Sequence, residues 1–207
     1  MPVLLALAGA ATACGASGAA DGGAQPPSST ATSPRGPASL PSSAQAPVPV
    51  ESNPPGDIPD NLAYVPYSAP AGRFTFTPPE GWAQVTAMDG VLFAQKLDAV
   101  RVTTGTRTTA PAVADAKAHD VPALAAAQPA FELRSVAPVM QRAGAGVLIV
   151  YRRNSAPDPV TGRRYRDEVE RYDLVLAGRE VVMELSGPVG ADNVDAYRIM
   201  ITSLRQS

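Results

Sequence analysis

Between Tyr64 and Ser207 the apolar positions fall into short patterns broken by Pro, Gly, Asn and Asp. Tyr64-Val65-Pro66-Tyr67 reads as a short extended piece. Arg73–Thr77 alternates polar and apolar side chains, the period of two that marks a strand with one buried face. Pro78-Pro79-Glu80-Gly81 closes it as a turn. Trp82–Val85, Val91–Ala94 and Val100–Thr104 predict three further short strands. Val113–Gln128 is Ala-rich and predicts a helix, broken or kinked at Pro122 because proline lacks an N–H and crowds the preceding turn. Phe131–Val139 predicts extended chain. Gly146–Arg152 (GVLIVYR) is a nearly continuous apolar run, the mark of a central strand. Asn154–Gly162 collects Asn, Pro, Asp and Gly and predicts a long hairpin loop, from which Tyr165–Ala177 returns as a strand. A tight turn at Leu176–Arg179 leads into Glu180–Ser186. Gly187–Gly190 then punctuates before a last helix. Asp192 or Asn193 can cap that helix, and Val194, Tyr197, Ile201 and Leu204 form its apolar stripe. Strands, a helix, four long antiparallel strands and a closing helix predict an α+β domain, an antiparallel β-sheet with helices packed on it.

The first sixty residues follow no such pattern. Val3–Ala13 (VLLALAGAATA) is eleven residues without a charge, too short for a span of about 20 residues but the length of a signal-peptide apolar region. The small residues Ala11-Thr12-Ala13 precede Cys14, the only cysteine. From Cys14 to Asp60 lie ten of the 22 prolines. Over the same stretch the larger apolar residues are only Leu40, Val48, Val50 and Ile58. Such a segment buries too little surface to offset its ordering entropy, so a disordered tether is predicted for residues 14–60. The division is therefore a signal peptide at 1–13, a tail at 14–60 and an α+β domain at 61–207.

Composition narrows the chemistry. A net charge of −2 argues against nucleic-acid binding, which needs a basic excess. One Cys and one His exclude an internal disulfide and a thiolate or multi-histidine metal site; no cofactor is indicated. His119 is the sole conventional base, with Asp115 one turn earlier on the predicted helix, the only hint of a hydrolase. No G-x-S-x-G elbow accompanies them. Asp167, Glu168, Glu170 and Asp173 share one strand, with Glu168 and Glu170 on one face; interleaved Arg166 and Arg171 make cross-ladder ion pairs the plain account. Trp82, the only tryptophan, suits a packing role or the rim of a groove. Arg152, Arg153, Arg163, Arg164 and Arg166 flank the long hairpin, with Asp158 the only acid among them. They form the candidate binding patch, fitted to anionic lipid headgroups or an envelope protein with an acidic surface.

Two resemblances extend this reading. Ala-Thr-Ala-Cys is similar to the lipobox of bacterial lipoproteins, with Gly15, Ala16 and Ser17 the small residues usual after the cut. The resemblance implies cleavage before Cys14, acylation (palmitate-type chains) of its thiol, and a lipid anchor on the extracytoplasmic side of the cell membrane. Ala11 stands where that family prefers Leu or Val. No positive charge precedes the apolar run, as a start placed too far downstream would leave it. Phe74-Thr75-Phe76 followed by Pro79-Glu80-Gly81-Trp82 resembles the opening of the PsbP-like fold. Val91-Leu92-Phe93, Leu185-Ser186-Gly187-Pro188 and Ser203-Leu204-Arg205 are similar to its later phrases. That fold is shared by actinobacterial lipoproteins of the LpqN type, and 15 Arg against 2 Lys suits a GC-rich genome. The resemblance implies a PsbP-like α+β domain acting as a non-catalytic binding or accessory module. The alternatives are a carrier of a small apolar or lipid ligand, or a hydrolase using His119 and Asp115.

Overall fold

A computed structural model describes residues 45–52, 55–69 and 74–207. All of them fall within one unit, Ser39–Ser207. The expected signal peptide, Cys14 and the tail up to residue 44 lie outside the described residues.

Strands β1 (Tyr67–Ala69) and β2 (Phe74–Phe76) pair antiparallel, and β10 (Arg205–Gln206) joins the other edge of β2. The large sheet holds β3 (Ala83–Ala87), β4 (Gly90–Gln95), β5 (Asp98–Thr104), β6 (Glu132–Gln141), β7 (Gly144–Asn154), β8 (Arg166–Leu176) and β9 (Arg179–Pro188). Its spatial order is β3-β4-β5-β9-β8-β7-β6, antiparallel throughout. Helices α1 (Val113–Asp115) and α2 (Val121–Ala127) are joined by a π-turn, Ala116–Asp120, and α3 (Val194–Ser203) precedes β10. The protein is an α+β fold, as its pattern predicts.

The strand pleat sorts side chains onto two faces. One face presents Val91, Phe93, Val100, Val102, Leu174, Met183 and Leu185. The small sheet and α3 cover it with Phe74, Phe76, Met200, Ile201 and Leu204. Phe76 meets Phe93 edge-on at 5.7 Å, a geometry favoured by the ring quadrupoles. The other face presents Val147, Ile149, Tyr151 and Val169, against Ala116 and Leu124 of the α1–α2 segment.

Four expectations are corrected. Alternation predicts one buried face for β2, yet Phe74, Thr75 and Phe76 are all buried because β2 is central in the small sheet. The break near Pro122 is a π-turn in front of it: Pro122 has no N–H for the carbonyl four residues back, and the wider turn absorbs the mismatch. Val194 is 69% exposed and leaves the α3 stripe, where Ala196 and Met200 are buried instead. The segment predicted as a disordered tether is docked at its described end: Ile58 is 5% exposed within the core, and its N–H donates to Asn193 Oδ1 at 2.8 Å. Among the described residues no helix is long and apolar enough to cross a membrane.

Candidate functional site

The β7–β8 loop is more ordered than its composition implies. Ladder hydrogen bonds continue into it, Ser155 N–H to Tyr165 O at 2.9 Å and Asp158 N–H to Arg163 O at 2.8 Å. Asp158 Oδ1 accepts from Val160 N–H, Thr161 N–H and the Thr161 hydroxyl, closing the tip as an Asx turn. Those Thr161 and Val160 donors hold the Asp158 carboxyl below its usual range.

The loop does not gather the five arginines into one patch. Arg152 and Arg153 are neighbours in β7, so the pleat sends them apart. Arg152 Nε donates to Glu168 Oε2 at 2.9 Å. Arg153 Nη1 donates to Gln128 Oε1 at 2.9 Å, and its Nε lies 3.9 Å from Asp167 Oδ2. Arg166 is 4% exposed and donates to Ala130 O at 2.7 Å and Glu132 Oε2 at 2.9 Å, tying β8 to β6. It is a buried strut and leaves the candidate patch. Arg163 pairs with Glu51 and lies over the Tyr165 ring at 5.1 Å. Arg164 Nη1 donates to Ser155 O at 2.7 Å.

What the structure does bring together is Arg153 and Arg164. They flank an open cleft of about 480 Å³ between the C-terminal end of α2 and the loop. Gln45, Gln128, Asn154, Ser155 and Pro157 contribute to its walls, and among the described residues no carboxylate lines it. Asp167, behind Arg153, is 5% exposed; burial pushes its carboxyl up to about 7 against the pull of Arg153 and Arg166.

The remaining sequence candidates are scattered. Asp115 and His119 are both exposed, and no hydrogen bond joins them; the intervening π-turn alters the spacing that would stack them in an α-helix. Glu168 and Glu170 do share a face. Glu168 takes Arg152, and Glu170 accepts from the Tyr172 hydroxyl at 2.8 Å. Arg171 pairs with Glu184 of β9 at 2.9 Å, an ion pair across the ladder. Asp173 is fully buried on the helix side. Among the described residues no group of three or more His, Cys, Asp or Glu is placed to hold a metal. Trp82 packs in the core and also rims a cavity of about 180 Å³ with Ile58, Leu62 and Asp98. That volume is below the roughly 300 Å³ of a small-molecule pocket.

Two clusters carry no sequence signal. Arg107, in the β5–α1 connection, reaches Asp120 at 3.0 Å, Asp173 at 3.3 Å and Glu180 at 3.6 Å. It pins the helix segment to the sheet, and burial still holds the Asp173 carboxyl above its usual range. Asn193 does not cap α3 through its side chain. Its amide accepts from Ile58 N–H and donates to Asp98 Oδ1 at 2.8 Å and Gly56 O at 3.1 Å. Gly187 faces this cluster, and a Cβ there would stand 2.5 Å from Asp98 Oδ1. The partners in both clusters lie far apart in sequence, so only the folded chain assembles them.

No family model and no curated protein sequence matches this chain. Solved structures do. Cyanobacterial PsbP from Synechocystis is 14% identical over 75% of this chain and 100% of its own, with a TM-score of 0.46. The Saccharomyces cerevisiae Ran-binding protein Mog1p is 11% identical over 70% of this chain and 96% of its own, with a TM-score of 0.45. A Bacteroides thetaiotaomicron protein is 13% identical over 69% of this chain, with a TM-score of 0.41. The match spans 48% of that protein, about half its length. PsbP-type proteins are thus among the structures this chain is similar to, at identities that carry no activity across.

Proposed function

We propose that the chain is a non-catalytic binding module, anchored through a lipid on Cys14 at the extracytoplasmic face of the membrane. Its contact surface is the cleft flanked by Arg153 and Arg164. One observation carries the cleft reading: two guanidinium groups border a concave surface with no carboxylate among the described residues of its lining. A guanidinium fork suits phosphate and carboxylate oxygens, so the ligand is an anionic group on the envelope, a lipid headgroup or an acidic protein surface. The anchor is supported by the Ala-Thr-Ala-Cys phrase and the proline-rich stretch that follows it. A lipoprotein cysteine bears at least two acyl chains, enough for stable attachment where a single chain is marginal.

Two measurements test the halves separately. Mass spectrometry of the membrane-bound protein is expected to find an acylated N-terminal Cys14, and Cys14→Ala is expected to release the chain. Tight membrane attachment of Cys14→Ala would refute the anchor. For the cleft, the full Cys14→Ala chain is titrated with vesicles carrying anionic headgroups at low and high salt. Exposed attraction fades within a Debye length, so affinity is expected to fall as salt rises. Arg153→Ser/Arg164→Ser should lose most of it while keeping the fold. Equal binding by both chains, or no salt effect, would refute the cleft as the contact.

A further inference from the structure

Beside the cleft, the chain already shows how it holds an extended segment. Residues 45–50 form neither helix nor strand and lie along the β7–β8 end. Asn154, at the end of β7, is 2% exposed. Both halves of its amide are taken by this arm: Nδ2 donates to Ala46 O at 2.7 Å, and Oδ1 accepts from Val48 N–H at 3.0 Å. The residue read over is Pro47, which has no N–H, so the seat demands none there. Three residues beyond Val48, Glu51 meets Arg163, which is itself held against the Tyr165 ring.

The side chains of the arm contribute little. Ala46, Pro47, Pro49 and Val50 are exposed, and Val48 is half-buried. The arm is therefore held by its backbone and one carboxylate, contacts that are individually weak and exchange readily. Asn154 places the opposite constraint. A buried amide needs partners, and among the described residues outside the arm only Arg166 Nη1, at 3.5 Å, approaches its oxygen. The seat is thus built for an extended chain but does not grip the one that fills it.

We infer that the Asn154–Arg163 seat is a peptide-docking site. It takes an extended, proline-containing segment of a partner protein that carries a carboxylate three residues after the residue donating to Asn154. The chain's own arm occupies the site until such a segment displaces it. Recognition of this kind reads backbone groups for affinity and one charge for register. The inference goes beyond the anion-binding cleft: Asn154 borders both, but the seat uses neither Arg153 nor Arg164, so Arg153→Ser/Arg164→Ser separates peptide docking from vesicle binding.

The test uses the full Cys14→Ala chain and a labelled synthetic peptide of residues 45–52. Val48→Pro/Glu51→Arg in the protein removes the donor and reverses the charge of the arm, without touching the core. Fluorescence anisotropy is expected to show this released chain binding the peptide at least tenfold tighter than the chain with its native arm. A peptide carrying Val48→Pro should lose that binding. A peptide carrying Glu51→Arg should bind poorly to the released chain, and should recover on a chain carrying Val48→Pro with Arg163→Glu, whose own arm keeps Glu51 and is repelled. The Asn154 side-chain amide resonances should shift on titration. Equal binding by released and native-arm chains would overturn the inference, as would full binding of the Val48→Pro peptide. So would sedimentation showing that the native-arm chain is a dimer with exchanged arms, because the seat would then belong to a second copy.

Discussion

Single residues in this fold carry unusual electrostatic burdens. Asp98 and Asp167 are both 5% exposed, and burial pushes each carboxyl up to about 7. Asn193 opposes the shift at Asp98, and Arg153 with Arg166 opposes it at Asp167, but desolvation is the larger effect in both. A folded-state value above the unfolded one means that the folded chain binds the proton more tightly. Stability therefore rises as pH falls from about 7 toward 4, and the penalty is full above pH 7. The thermal midpoint is expected to climb by at least about 3 °C between pH 8 and pH 5, given roughly 2–4 °C per kcal/mol at this size. Asp98→Asn/Asp167→Asn should flatten that slope and raise the midpoint at pH 8, read by calorimetry across the pH series. An unchanged slope would mean that water reaches both carboxylates. Protonating Asp167 also removes the counter-charge behind Arg153, so anionic vesicles should bind more tightly at pH 6 than at pH 8.

At the scale of elements, the N-terminal arm changes the domain boundary. Its proline-rich composition reads as a tether because no period links its few apolar residues. Ile58 is nonetheless buried in the large core, and Gly56, Asp57 and Ile58 bond to Asn193 and Asp192 before α3. Composition averages over a segment, whereas one well-placed side chain is enough to dock it. Ile58→Ala is expected to cost about 2–5 kcal/mol, the range for emptying a buried aliphatic site. A chain lacking residues 1–60 should lose at least as much, measured by urea denaturation. A truncated chain as stable as the parent would return the boundary to Asn61. The long strands are the contrasting case. Gly146–Arg152 announces β7 directly, because a strand packed on both faces needs apolar side chains at successive positions, and β8 follows as the return strand of the long hairpin.

For the whole molecule, two cores share one sheet. Trp82 reports the core under α3, while Leu124 belongs to the core under α2. Strand β8 serves both, Tyr172 and Leu174 on one side and Val169 on the other, and Arg107 ties the helix segment to β8 and β9. The shared strand predicts one cooperative transition. Leu124→Ala should destabilise by about 2–5 kcal/mol and move the Trp82 fluorescence curve and the far-ultraviolet circular dichroism curve together. A dichroism curve that shifts while the Trp82 curve stays would show two cores melting independently.

The sequence by itself determined the strand and helix order, the α+β class and the position of the long hairpin. Each of these follows from local periodicity, which a linear chain carries in full. It also set the five arginines around that hairpin, but which surfaces they occupy lay outside its reach. Tertiary structure buried Arg166, separated Arg152 from Arg153 across the pleat, and left Arg153 and Arg164 to share a cleft. It likewise placed Asn154 under an arm more than a hundred residues away in the chain. The physical reason is common to all of these. Which residues share a face depends on the pleat and on strand register, and burial depends on what packs above. Both are set by contacts between segments that no local pattern encodes.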